Sequence, residues 1–132
     1  MSSSQRSGIV ERVSMLSFDE TVEQLVQAIT GAGMTIFARI DHAANARGVG
    51  MAMPPATVLI YGNPKGVTPV MVAAPHAALD LPLRVLVRER EDGTAAIVFH
   101  PVAEMLRHAG AAQDLAARLE PAQRILLAAV QS

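Results

Sequence analysis

Between Met34 and His100 the chain reads as four strands in succession, with no long amphipathic helix to separate them. Residues 34–40 alternate, with Met34, Ile36, Ala38 and Ile40 on one face and Thr35, Phe37 and Arg39 on the other. Residues 57–61 are β-branched and apolar on both faces. Residues 83–90 and 94–100 flank Asp92-Gly93, a pair that suits a tight primed hairpin turn. Successive strands without helical crossovers pair antiparallel, because a parallel pair needs a long connection to return the chain. The expected fold is therefore α+β, an antiparallel sheet with helices packed on one face.

The flanks complete a β-α-β(4)-α order. Residues 9–16 mix β-branched and polar side chains and read as a first strand. Ser17-Phe18-Asp19-Glu20 has the pattern of a capping box: the serine oxygen accepts the third amide and the glutamate reaches back. Phe18, Val22, Leu25, Val26 and Ile29 follow at helical spacing, and Gly31 or Gly33 ends the helix. Asp41 is placed to cap a short helical turn through Arg47, stopped by Gly48 and Gly50. Pro101 opens a C-terminal helical segment that restarts at Pro121. Residues 1–8 are small and polar and read as a loose arm, leaving 9–132 as one domain. A length of 132 residues is too short for two full-sized domains, and an apolar fraction of 51% excludes intrinsic disorder.

Composition narrows the function classes. Eleven basic and twelve acidic residues give a net charge of −1, without the basic face that nucleic-acid binding needs. The chain has no cysteine, so thiol chemistry and thiolate metal sites are excluded. No apolar stretch reaches the roughly 18–20 residues of a membrane span, and the N-terminus lacks the apolar segment of a secretory signal. A cytoplasmic protein that engages neither membrane nor nucleic acid is expected. Leu86, Phe37 and half of the 57–61 strand are expected on the face without helices, as a homodimer surface or a ligand cleft. The alternative is that the C-terminal helices wrap over that face. Arg84, Arg88 and Arg90 would form a stripe there, but Glu89, Glu91 and an aromatic content of 3% argue against a nucleic-acid surface.

Two clusters carry the candidate chemistry. In Gly62-Asn63-Pro64-Lys65-Gly66-Val67-Thr68-Pro69, Thr68 and Pro69 look like an N-cap and first helical residue. Spare amides at that helix start, with Asn63, Gly66 and Lys65, the single lysine of the chain, would hold a phosphate or carboxylate. The spacing is not that of a P-loop, and the same residues also read as a plain strand–helix turn. In Asp41-His42 a carboxylate can orient an imidazole for acid–base work, or Asp41 simply caps its helix. Asp80, among leucines, reads as a turn carboxylate or as a partner for Lys65. His100 and His108 match no metal-ligand spacing, and neither a dinucleotide fingerprint nor a nucleophile elbow is present, so no metal or cofactor is expected.

Ile40-Asp41-His42, Gly62-Asn63-Pro64-Lys65, Thr68-Pro69-Val70-Met71 and Leu79-Asp80-Leu81-Pro82-Leu83 together resemble, in order, the signature of the prokaryotic family called domain of unknown function 302. The resemblance runs from about Ser17 to the C-terminal helix. It implies a TATA-binding-protein-like α+β fold, a dimer, and no established activity. It points to Asp41, His42, Asn63, Lys65, Thr68 and Asp80 as site positions without assigning them roles. Two departures stand out. Val67 replaces the glycine usual before Thr-Pro, and Phe99-His100-Pro101 stands where the family tends to carry Asn-Asp-Pro. The leading expectation is a homodimer that binds a small polar or anionic ligand. The alternatives are an enzyme using Asp41/His42 as acid or base with Lys65 stabilising negative charge, and an interaction module with no small-molecule site.

Overall fold

The computed structural model describes residues 8–131, so the arm expected over residues 1–8 lies, except for Gly8, outside the described residues. Strand β1 (Val10–Val13) leads into helix α1 (Phe18–Gly31) through the expected capping box. The Glu20 amide donates to Ser17 Oγ and the Ser17 amide donates to Glu20 Oε1, each at 3.2 Å. Strand β2 (Thr35–Asp41), helix α2 (His42–Gly48), strand β3 (Ala56–Gly62) and helix α3 (Pro64–Ala73) follow. A short 3₁₀ turn, Pro75–Leu79, then precedes the hairpin of β4 (Leu83–Glu89) and β5 (Ala95–Phe99). Helices α4 (Val102–His108), α5 (Gln113–Ala117) and α6 (Pro121–Ala129) end the fold.

The five strands form one antiparallel sheet in the order β1-β5-β4-β3-β2. Helix α1 joins the two edge strands. Its buried Val22, Leu25 and Ile29 share a core with Leu59, Val85 and Ile97 of the central strands, and Leu106 of α4 and Leu126 of α6 enter the same core. The C-terminal helices therefore pack on the side of α1 and do not wrap over the opposite face. There Val58, Ile60, Leu86 and Val98 remain partly exposed.

Three local expectations are corrected. In β2, Ile36 pairs with Tyr61 but Ala38 pairs with Ile60, so Phe37 is an extra residue in a β-bulge. Paired residues share a face, and the inserted residue flips the alternation. Ile36 therefore sits on the helix side with Tyr61, whereas Ala38 and Ile40 turn to the open face. Arg39 then faces the helices, where its Nη2 meets Glu23 Oε2 of α1 at 3.0 Å. The hairpin turn is not a primed one. Asp92 keeps a negative φ, Gly93 alone takes the left-handed conformation at φ 86°, and the Arg90 amide donates to Thr94 O. That is a three-residue loop, with Asp92 Oδ1 accepting from the Thr94 hydroxyl at 2.6 Å and from its amide at 2.9 Å. These bonds hold the Asp92 carboxyl below the usual range.

The third correction concerns α3, which begins at Pro64 and not at Pro69. Proline restricts the residue before it to extended backbone, and Asn63 sits at φ −118°, ψ 114°, the geometry of an N-cap. Pro64 occupies the first helical position, where its missing N–H costs nothing. Thr68 is consequently an interior residue of the helix, and Pro69 is carried inside it.

Tyr61, fully buried on β3, donates its hydroxyl to Ala122 O at 2.9 Å and so ties the sheet to α6. Burial raises its pKa well above the ordinary value of about 10. The neutral phenol is thus favoured by folding. The stability it contributes is fully present below about pH 10 and is lost as pH rises through the higher folded value. This is the chain's single tyrosine. Urea titrations from pH 8 to 11 are expected to show an alkaline decline that Tyr61→Phe abolishes, at a constant cost of about 1–2 kcal/mol for the unpaired Ala122 carbonyl. An identical decline in the variant would contradict this assignment.

Candidate functional site

The residues singled out in the sequence do not assemble into one site. Asp41 pairs with Thr57 at one end of the β2–β3 ladder, and Asn63 follows Gly62 at the other. Five residues of strand, roughly 17 Å, lie between the two ends. Asp41 is occupied as the N-cap of α2, accepting from the Ala44 amide at 2.9 Å, and His42 beside it is exposed. An acid–base centre combining Asp41, His42 and Lys65 is therefore not formed within one chain.

The start of α3 has no spare donors either. Pro64 has no N–H, the Lys65 amide donates to Asn63 Oδ1 at 3.0 Å, and the Gly66 and Val67 amides both donate to Asn63 O. The helix start binds its own cap, which removes the donors an anion site requires. Lys65 and Thr68 are exposed. Asn63 and Gly66 border a mainly apolar cavity of about 250 Å³, shared with Met34, Leu119 and Ile125.

Asp80 lies at the same end of the sheet, but in a different place. It lines a cleft of about 640 Å³ with Arg84, His100, Glu104 and His108, and Gly8, Leu79 and Met105 complete the walls. Asp80 follows the 3₁₀ turn and Arg84 is the second residue of β4. His100 comes directly after β5, and Glu104 and His108 project from α4. Two carboxylates, two imidazoles and a guanidinium thus line one wall system drawn from four segments.

Buried Gln123 of α6 fixes how the chain turns from β5 into α4. Its Nε2 donates to His100 O at 2.8 Å, and its Oε1 accepts from the Val102 amide at 2.9 Å. Pro101 between them needs no donor partner. On the imidazole side, His100 Nδ1 lies against Gly8 O, a contact that calls for Nδ1 as the donor and leaves Nε2 as the ring's other polar atom. Sequence reasoning set His100 and His108 aside as a metal pair, noted His100 only as a departure from the family pattern, and did not single out Glu104. Their common interval of four was the available signal, since it carries one helical face back onto the end of a strand. Among the described residues no group of three or more His, Asp or Glu is arranged to hold a metal.

A family model described as "Domain of unknown function DUF302" matches residues 10–132. The chain belongs to the DUF302 family. A crystal structure of a conserved DUF302 protein from Bacillus stearothermophilus superimposes with a TM-score of 0.80, covering 95% of this chain and 97% of that one. At 16% identity this likeness speaks to the fold alone. Among curated proteins, the DUF302 chain is similar to the fluoride-specific ion channel FluC 1 of Brucella suis biovar 1, 38% identical over 87 residues. FluC 2 of Brucella melitensis biotype 1 gives the same identity over the same length. The match covers 66% of this chain but 34% and 32% of those proteins, so the chain spans about a third of the length of the curated relatives it matches. No helix of the described residues is long and apolar enough to cross a membrane.

Proposed function

We propose that this DUF302 protein is a binding module for a small polar or anionic molecule, held in the cleft of Asp80, Arg84, His100, Glu104 and His108. The observation that carries this reading is Arg84. Among the described residues it makes no ion pair or side-chain hydrogen bond, although Asp80 and Glu104 share its cleft. A guanidinium kept beside a recess and unpaired suits a carboxylate or phosphate, which it grips in bidentate fashion. The two carboxylates in the same cleft suit a donor on the same ligand. The fixed turn at His100 adds a preorganised wall, at one of the two places where the chain departs from the family pattern it resembles.

Thermal unfolding against a panel of small carboxylates, phosphates and zwitterions tests the proposal. A ligand present at a hundredfold excess over its Kd stabilises by about 2.7 kcal/mol, a readily measured rise in midpoint. Arg84→Ala is expected to remove that rise while leaving the midpoint without ligand almost unchanged, because Arg84 is exposed. A rise that persists in Arg84→Ala would place the ligand elsewhere.

Two further features belong to this proposal. Val49, Met51 and Met53, between α2 and β3, are 73%, 67% and 43% exposed, an apolar edge that supports self-association into a homodimer. Light scattering should report twice the chain mass, and Met51→Glu should shift the population toward monomer; a wild-type monomer at all concentrations would contradict it. The partial similarity to proteins named as fluoride-specific ion channels supports a role as a module that accompanies a membrane protein.

A further inference from the structure

The cleft is not an isolated recess. On the open face of the sheet, Val58 pairs with Leu86 and Leu86 with Val98, so three apolar side chains form one row across the three central strands. With Ile9 and Phe99 they line a groove of about 260 Å³ that also includes Arg84 and His100. Those two residues line the polar cleft as well, so cleft and groove meet at Arg84 and His100.

The charges at the two sides of the apolar row differ. On one side, Arg88 is neutralised by Glu11, whose Oε2 lies 3.4 Å from its Nη2. On the other side, two residues and roughly 7 Å along β4, stands Arg84 without a carboxylate partner among the described residues. A molecule lying across the row thus meets a satisfied ion pair on one side and an unsatisfied cation on the other. The helices cannot cover the row, because all of the core helices pack on the opposite face. The bulge at Phe37 extends the same surface, turning Ala38 and Ile40 toward it.

We infer that the ligand is amphipathic: its anionic group sits at Arg84 and His100, and its apolar body packs against the row of Val58, Leu86 and Val98 beside them. This deepens the reading of the cleft and rests on it. Polar recognition at one end and apolar burial along the body is the arrangement by which binding sites fix both orientation and affinity. The expected class is a carboxylate on a hydrocarbon body, in contrast to a fully hydrophilic anion.

Straight-chain carboxylates from propanoate to decanoate, titrated below their aggregation limits, separate the two statements. Each methylene that enters the groove is expected to tighten binding roughly threefold to fourfold, until the tail outgrows it. Decanoate should therefore bind at least about 30-fold more tightly than propanoate. Leu86→Asn should collapse that ratio toward one, and Arg84→Ala should weaken every acid that binds. Acids that bind through Arg84 with no dependence on length would overturn the inference and leave the polar cleft standing. Long acids that bind equally well to Arg84→Ala would overturn both, as would no binding by any member of the series.

Discussion

Gln123→Ala is expected to destabilise the protein by about 2–5 kcal/mol, the cost of leaving two inward-facing backbone groups without partners. The side chain is 6% exposed and satisfies both His100 O and the Val102 amide. For a chain of this size the midpoint should fall on the order of 10 °C. The same change should weaken ligand binding, because it frees the turn that presents His100 and the first residues of α4. Gln123→Glu keeps an acceptor for the Val102 amide but loses the donor to His100 O, so an intermediate loss is expected. Thermal melts of the two variants rank these effects. A midpoint for Gln123→Ala within about 2 °C of wild type would mean that the clamp is not a structural necessity.

Leu25→Ala should cost about 3–5 kcal/mol, a large part of the roughly 5–15 kcal/mol that holds a domain together. Leu25 is fully buried on α1, the helix that spans the sheet between its two edge strands. Deleting its branched end leaves a cavity that a close-packed helix–sheet interface cannot collapse to fill. Leu79→Ala is the matched comparison. Leu79 is 84% exposed, and its truncation is expected to change stability by no more than about 0.5 kcal/mol. Urea midpoints that fail to separate the two leucines would contradict the packing of α1 described above.

The parts of this fold that were legible in the sequence rest on local chemistry. The capping box at Ser17 and Glu20 forms as its residues dictate, because both partners lie within one helical turn. The hairpin of β4 and β5 pairs antiparallel because its short loop leaves no other pairing, and β2, β3 and β4 pair antiparallel as well although α2 and α3 lie in their connections. Where two local signals competed, the sequence could not rank them. Asn63-Pro64 and Thr68-Pro69 are both a capping residue followed by proline, and the first prevails because it lies directly at the end of β3. The bulge at Phe37 was hidden, since an alternating run looks regular until its partner strand shows one residue too few.

The candidate site was legible only in pieces. Asp80 was picked out for its apolar company and His100 for its place in the family pattern, yet neither pointed to the other. Their meeting depends on β4 and β5 pairing in a register that sets Leu86 against Val98, which brings Arg84 and His100 to the same end of the sheet. Lys65 drew attention as the single lysine, and the loop around it as a source of spare amides. The structure spends those amides on Asn63, and Lys65 is left in solvent.

The contrast between Arg84 and Lys65 gives the most direct test. Calorimetric titration of the most stabilising compound from the panel should be run on wild type, Arg84→Ala and Lys65→Ala. If the cleft holds the ligand, Arg84→Ala weakens binding by at least about tenfold, a loss of about 1.4 kcal/mol, while Lys65→Ala stays within about twofold of wild type. Loss of binding in Lys65→Ala with Arg84→Ala unaffected would contradict the account and return the site to the start of α3.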